Sequence, residues 1–434
     1  MTHKDGSSRF DALIVGAGPA GSTAAILLAQ AGWSVALVEK QRFPRRKVCG
    51  ECIAASNLPL LEALGIGAEF DAAAGPHLRR VALMRGRRTV MADLPAAGNA
   101  GHAWGRALGR ETLDTLLLER ARAAGAVVLQ PWSVQALTGR VGDHRCEIRC
   151  VDSGEKETLH ASVLIAAHGS WEALPSSRDS RRFTRMPSDL FAFKANFGGA
   201  SLAGGLLPVL SFDGGYGGMV VAGHGTLTLA CCIRQDKLDA CRSAAPGLSA
   251  GEVVEAMLKR ECLGVAEALQ TARRDGVWLA SGPLDPGIRL RDDDTLFRIG
   301  NAAGEAHPII GEGMSMAMQS AWLLCAGLLP PALQGGKTEN PQWQVDVRRL
   351  YNAQWRHHFA PRLRLAAMFA HVAMRPAVCA PLLAGLSCWP SLLTQGARWS
   401  GKVRCAPGPA SIAWLAAGLA SPPVKRASAF PVRD

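Results

Sequence analysis

The stretch FDALIVGAGPAGSTAAILLAQAGWSVALVEK, Phe10 to Lys40, leaves few folds open to this chain. An apolar run ends at Val15, and the turn Gly16-Ala17-Gly18-Pro19-Ala20-Gly21 follows at once. A small-residue helix then leads to a second apolar run, Val35-Ala36-Leu37-Val38, closed by an acid. This is a βαβ unit whose turn suits phosphates. Gly16 permits the tight strand-to-helix turn, Gly18 lets backbone reach a pyrophosphate, and Gly21 lets the helix lie close on the sheet. The helix start around Pro19 and Ala20 offers free N–H groups and the positive end of a dipole. Glu39, eighteen residues past Gly21 and followed by Lys40, stands where a carboxylate accepts from ribose hydroxyls. The ligand these residues predict is a dinucleotide: NAD, NADP or FAD.

A chain of 434 residues can build two or three domains with sizeable cores. Its 48% hydrophobic and 19% charged residues exclude a disordered chain. No uninterrupted apolar run reaches the ~18 residues of a spanning helix, and the nucleotide motif begins too early for a secretory signal to precede it. The cysteines are scattered apart from Cys49/Cys52 and Cys231/Cys232. They read as reduced thiols of a cytoplasmic protein, and without a second Cys or His pair no metal site is expected. The +12 charge gathers at Arg42-Phe43-Pro44-Arg45-Arg46-Lys47, Arg85/Arg87/Arg88, Arg181-Arg182 and elsewhere. Such charge draws phosphates, acidic carrier proteins or anionic membrane; with no nucleic-acid module beside it, no nucleic-acid partner is expected.

Beyond the opening unit, residues 57–75 read as a short helix and Arg79 to Leu94 as strands. Leu108 to Ala124 reads as an amphipathic helix stopped by Gly125. Val127-Val128-Leu129 and Leu159 to Ala167 read as strands returning to the first sheet. From Phe191 to Trp278 the pattern reads as strand-rich, which predicts a second, largely antiparallel layer. Leu296 to Gly300 is another buried strand and Gly313 to Leu329 an apolar helix. The last hundred residues read as helices interrupted at Pro361, Pro376, Pro381, Pro390 and Pro407.

Leu296-Phe297-Arg298-Ile299-Gly300-Asn301-Ala302-Ala303-Gly304 continues through His307-Pro308-Ile309-Ile310-Gly311-Glu312-Gly313-Met314. Here the chain resembles the flavoprotein monooxygenase and geranylgeranyl reductase superfamily, which narrows the dinucleotide to FAD. The resemblance spans roughly residues 8–330. It implies that the residue after Gly300 meets a ribityl hydroxyl. It also implies that the amides of Gly311, Gly313 and Met314 face the flavin pyrimidine edge, where a helix N-terminus favours the charge of reduced flavin. Asn301 stands where the family usually has Asp. By the same resemblance Arg110, in Gly109-Arg110-Glu111-Thr112, reaches the FAD phosphates or flavin edge, and backbone of Val134 in Trp132-Ser133-Val134 meets adenine.

Arg46-Lys47-Val48-Cys49-Gly50-Glu51-Cys52 resembles the Cys-Gly segment of geranylgeranyl reductases that passes beside the flavin, with Arg46, Cys49 and Gly50 as cofactor contacts. Three roles stay open for Cys49: a small wall residue, a proton donor with its pKa lowered by flanking cations, or one half of a redox pair with Cys52. His168 replaces the acid of the family's Asp-Gly pair, in His168-Gly169-Ser170-Trp171-Glu172. It reads either as a catalytic acid/base or as a turn histidine satisfied by backbone. Tyr216, in Gly214-Gly215-Tyr216-Gly217-Gly218, reads either as a substrate-facing phenol or as a core residue. The Trp-x-Trp-x-Ile-Pro segment of flavin halogenases is absent.

The predicted architecture is α/β: a Rossmann-like FAD-binding domain, a mostly antiparallel substrate-binding sheet and C-terminal helices. The domains are 8–180 with 281–330 for FAD, 181–280 with 76–107 for substrate, and 331–434 as a helical region. The apolar segments Leu363 to Val378, Ala380 to Leu393 and Ala410 to Leu419 either close the substrate chamber or, with Arg398, Lys402 and Arg404 beside Trp399, rest on a membrane surface. The predicted function is an FAD-dependent monooxygenase acting on a hydrophobic biosynthetic small molecule such as a polyketide or lipid-like aromatic. NAD(P)H or a reduced carrier would supply electrons. The alternatives are a C=C reductase of the geranylgeranyl reductase type and a non-catalytic FAD-binding protein.

Overall fold

In the computed structural model, which describes residues 8–98, 101–170, 174–175, 185–333 and 338–402, the opening motif sits at the centre of a seven-stranded sheet. Val127–Leu129, Val35–Val38, Ser8–Val15 and Lys156–Ala166 lie side by side in parallel, and Phe297–Arg298 also pairs in parallel with the last of these. The second half of Lys156–Ala166 is buried without a break, as a parallel strand covered on both faces must be. Its first half pairs instead with an antiparallel hairpin, Trp132–Arg140 and Asp143–Cys150. That hairpin was not legible in the sequence, and Val134 lies in it.

One face of this sheet is covered by the helices Pro19–Gln30, Gly313–Leu333 and Pro341–Ala373, with Ile14, Leu37, Ile165, Leu324 and Trp355 in one core. The first helix is buried along nearly its whole length, which its alanines and glycine make sterically feasible. A Cβ on Gly21 would stand 1.8 Å from the Gly16 carbonyl oxygen, so this glycine does set the close approach of helix and sheet.

The second sheet also has seven strands, in the order Arg273–Ser281, Leu190–Gly198, Leu227–Arg234, Gly215–Val221, Leu206–Phe212, Arg80–Arg85 and Arg88–Asp93. All neighbours are antiparallel except Leu206–Phe212 against Arg80–Arg85. The predicted layer is therefore present, with one correction. Residues 235–268 form helices, Gln235–Ala244, Ala250–Glu261 and Leu263–Ala268, that cover one face of the sheet. A capping box between Ser249 and Glu252 opens the middle one, and Val253, Val254, Met257 and Leu258 bury its inner side.

The other face of the second sheet meets the C-terminal helices Pro376–Cys388 and Ser391–Trp399. Pro361, expected to interrupt, lies inside Pro341–Ala373. Packing of Phe359, Leu363, Ala366 and Ala370 holds the helix through it. Arg404, Pro407 and the segment Ala410 to Leu419 lie outside the described residues, as do Trp171, Glu172, Arg181 and Arg182. Among the described residues no single helix is long and apolar enough to cross a membrane.

Candidate functional site

A cavity of about 580 Å³ runs between the two sheets, and a second of about 370 Å³ adjoins it, sharing Gly16, Glu39, Arg45, Lys47 and His168 as walls. The turn Gly16-Ala17-Gly18 forms the junction. Gly16 has φ +102 and a Cβ there would lie 2.6 Å from the Ala167 carbonyl oxygen, so only glycine fits. At Gly18, among the described residues beyond its chain neighbours, an added Cβ would meet only Arg110 Nη2 within 4 Å, at 3.8 Å; the backbone there faces open space beneath a guanidinium. Pro19 and Ala20 line the same cavity. Arg110 is buried and clamped by Asp114 through two bonds of 2.7 Å. This cradle fits a pyrophosphate.

Glu39, buried at the end of its strand, accepts from the Ala17 N–H at 2.9 Å and the Gln41 N–H at 2.8 Å. Lys40, Trp132, Ser133 and Val134 line the smaller cavity beside it, where the ribose and adenine were expected. His168 follows the central strand in a loop, not a helix turn, and borders both cavities.

The basic segment is corrected in detail. Arg46 ties itself to Glu111 at 3.1 Å and to Asp275 at 2.5 Å. It borders the smaller cavity, with three of its five N–H donors spent on the helix residue Glu111 and on Asp275 of the second sheet. Arg45, near Glu39 at 3.6 Å, and Lys47 line both cavities. Lys47 forms no ion pair among the described residues. Burial first, and then the positive fields of Arg110 and Arg45, lower its pKa to about 8. Three cations therefore converge on the glycine turn, one of them without a counter-ion, as an anion site requires.

Cys49 and Gly50 form cavity wall. The cation beside Cys49 is Arg110, not Arg46. Cys52 lies in a short strand, Cys52–Ile53, and its buried thiol is pushed up to about 12. Both thiols are free.

Glu51 is the residue that sequence reasoning missed. It is fully buried at φ +59, and its carboxylate accepts from Lys194 Nζ, Thr228 Oγ1 at 2.5 Å and the Arg110 N–H at 3.0 Å. Lys194 and Thr228 belong to the second sheet, so one side chain joins both halves at the cavity wall.

Gly300 and Asn301 stand on a short turn after the Phe297–Arg298 strand. The Asn301 amide donates to Ser170 Oγ at 2.8 Å, and Ser170 donates to Glu305 at 2.9 Å; Arg289 holds the same carboxylate at 3.0 Å. Glu305, four residues past Asn301, is also in the wall. Gly311 has φ +64, and an added Cβ on Gly313 meets nothing within 4 Å, leaving the helix start open toward the cavity with Met314. Burial raises the Glu312 carboxyl above its usual range despite Lys402 at 3.4 Å. Lys402 itself, expected on a membrane face, donates to the Ile310 carbonyl at 2.9 Å inside the wall.

Much of the remaining wall is apolar. Val81, Leu83, Leu207 and Val209 come from the second sheet, and Phe369, Val372, Leu386 and Leu393 from the C-terminal helices. Those helices therefore close the chamber. Tyr216 lines it too, and its hydroxyl lies 3.1 Å from Nδ1 of His307, a partner the sequence did not disclose. All three proposed catalytic residues, Cys49, His168 and Tyr216, border one cavity.

Residues 9–190 match the family model of the FAD binding domain. The chain is 27% identical over 344 residues to conditioned medium factor receptor 1 of Dictyostelium discoideum, covering 75% of this chain and 64% of the relative. It is 30% identical over 168 residues to menaquinone reductase of Mycolicibacterium smegmatis, 39% of each protein. It is 25% identical to tryptophan 2-halogenase of Chondromyces crocatus, over 84% of this chain and 68% of that one. The chain thus spans less than two thirds of the first two relatives' lengths.

Among solved structures, the fold is shared with the myxobacterial chondrochloren halogenase CndH, with a TM-score of 0.71, 17% identity and coverage of 95% and 97%. It is shared also with a geranylgeranyl bacteriochlorophyll reductase-like protein from Thermoplasma acidophilum, with a TM-score of 0.63, 18% identity and coverage of 95% and 96%. Residues 9–190 thus match an FAD binding domain, and the chain as a whole shares its paired-sheet fold with these flavoproteins.

Proposed function

We propose that the chain is an FAD-dependent monooxygenase that hydroxylates a hydrophobic small molecule, a polyketide or lipid-like aromatic. The observation that carries this reading is the continuity of one cavity from the glycine turn and the Gly311–Gly313 helix start to an apolar wall. FAD supplies the redox chemistry when bound. The protein's own residues bind its phosphates through Arg110 and Lys47, hold the helix start against its pyrimidine edge, and exclude water with the C-terminal helices. NAD(P)H or a reduced carrier supplies electrons. Incorporation of ¹⁸O from labelled O₂ into product, with FAD-loaded protein and an electron donor, tests the reading. A product lacking label refutes it.

The second reading is a C=C reductase, favoured by the similarity to menaquinone reductase and by the Cys49-Gly50 wall. It predicts deuterium across an alkene in the same assay. Bromide belongs in the mixture because several relatives are named halogenases; a brominated product would replace both readings. A yellow protein that accepts electrons from no donor is the outcome for a non-catalytic binder.

Trp389, Leu392 and Trp399 are 65%, 53% and 62% exposed on the helices that roof the chamber, with basic Arg375 and Arg398 nearby in sequence. This surface suits peripheral contact with an anionic membrane by an otherwise cytoplasmic protein. Co-sedimentation with phosphatidylglycerol vesicles, lost on Trp389→Ser/Trp399→Ser, is the expected result.

A further inference from the structure

Lys402 is a lysine whose charged head lies inside the molecule. Its side chain is 16% exposed, its ammonium donates to the Ile310 carbonyl at 2.9 Å, and Glu312 Oε1 stands 3.4 Å away. A lysine held so gives up much rotamer freedom, and lysines are rarely buried unless paired. The chain reaches this point along a fixed path. Ser400 is buried just past the helix Ser391–Trp399. Gly401, at φ +107, passes so close to Arg362 that a Cβ would lie 2.9 Å from the guanidinium Nε. The ammonium comes to rest 3.6 Å from where a Cβ on Gly311 would stand. Gly311 and Lys402 both line the chamber, whereas Glu312 is fully buried and does not. The other charged side chains of that wall have partners elsewhere. Glu39, Arg45, Lys47 and Arg110 gather at the glycine turn, and Glu51 and Glu305 are held by Lys194 and Arg289.

We propose that Lys402 tunes the cofactor: its ammonium, together with the dipole of the Gly313–Leu333 helix, raises the reduction potential of FAD bound in the chamber. Reduction adds two electrons and one proton to FAD and leaves one negative charge on the pyrimidine edge, at N1 and the neighbouring C2 oxygen. The oxidised form carries no charge there. A cation beside that edge therefore favours the reduced form, and a wall poorer in water than the surface strengthens the effect. The helix start supplies about half an elementary charge; the ammonium supplies a whole one. Glu312 opposes it from behind the wall, but that carboxylate faces Arg362 as well as Lys402, and burial disfavours its charge. The three groups together leave at least one net positive charge. The neighbouring Cys52 thiol, pushed up to about 12 by burial, adds no negative charge at neutral pH.

This inference rests on the proposed placement of the flavin against that helix start, and hydroxylation does not enter its test. The measurement is the two-electron potential of FAD-loaded protein at pH 7, reduced slowly by xanthine and xanthine oxidase beside a reference dye. Lys402→Gln keeps a side-chain donor and removes the charge; Lys402→Met is the second neutral variant. Each is expected to lower the equilibrium constant for reduction about tenfold or more, about 30 mV for two electrons, with affinity for oxidised FAD within about threefold. Lys402→Arg should keep the wild-type potential. An unchanged potential in a neutral variant that holds FAD overturns the proposal, as does an Lys402→Arg potential that falls as far as the neutral ones. Neutral variants that lose FAD, or that both fail to fold, overturn it too, by making Lys402 a brace of the turn. Wild type that binds no FAD overturns the cofactor site itself and this proposal with it.

Discussion

The pH dependence of FAD binding tests the anion site through one residue, Lys47. Its folded pKa of about 8 lies below its ordinary 10.5 because burial, Arg110 and Arg45 all oppose the charge. Between these two values the unfolded chain binds more protons than the folded one, so the stability of FAD-free protein rises with pH through that window. The span of about 2.5 pKa units corresponds to roughly 3 kcal/mol at 1.36 kcal/mol per unit. A pyrophosphate beside the ammonium restores its preference for charge. FAD binding then takes up a proton above pH 8, and affinity falls about tenfold between pH 7 and pH 9. Equilibrium dialysis of FAD at pH 7, 8 and 9 reads this directly. Lys47→Met should bind FAD at least about tenfold more weakly at pH 7 and lose the slope. A wild-type affinity flat across that range, or the same slope in Lys47→Met, refutes the placement of the phosphates beside Lys47.

Gly21→Ala drives a Cβ to within 1.8 Å of the Gly16 carbonyl oxygen, and the protein should lose FAD with a stability loss of about 3 kcal/mol or more; full FAD occupancy by absorbance at 450 nm would contradict the packing. Lys194→Met leaves Glu51 buried and uncompensated at a cost of about 3–5 kcal/mol, whereas Lys194→Met/Glu51→Gln should recover much of it. Urea titration of wild type, Lys194→Met, Glu51→Gln and the double variant reads that coupling, and simple additivity would show the pair to be independent. Cys49→Ala should retain FAD, since the residue forms wall at a place where backbone and a small side chain suffice. Turnover abolished with FAD retained assigns the thiol a chemical role; turnover retained leaves it as wall.

The cofactor half was legible because phosphate binding dictates backbone, and backbone demands show as residue types. Gly16, Gly18 and Gly21 each stand where a Cβ would collide or would narrow the cradle, so the glycines themselves are the record. The substrate half depends on pairings across the chain, which leave no local mark. Tyr216 was visible as a candidate, but His307 is ninety-one positions away and joins it only through the fold. Glu305 meets the Asn301 amide from four positions on, a contact that only the turn between them brings about. The helices of residues 235–268 had a readable signal in Ser249 and Glu252, which glycine-rich neighbours obscured. Arg46 and Lys47 are adjacent in sequence, and only their surroundings decide that the first braces a sheet while the second faces the anion site.

Glu51 shows why Cys49-Gly50-Glu51 acts as one unit. A non-glycine residue at φ +59 costs on the order of 1–3 kcal/mol, and glycine at position 51 would remove that strain. Glycine would also leave Lys194 buried without a counter-charge, at a cost of about 3–5 kcal/mol, and would strand Thr228 and the Arg110 N–H. The second cost exceeds the first, so the carboxylate is retained in a strained turn. Gly50 answers the opposite demand: an added Cβ there meets nothing and would only project into the cavity. The turn is therefore thin on its cofactor side and anchored on its substrate side, and Lys194 and Thr228 fix how far the wall stands from the glycine turn. Loss of that anchor should move Cys49 and Arg110 together. For that reason Lys194→Met is expected to weaken FAD binding although Lys194 is absent from the cofactor cradle.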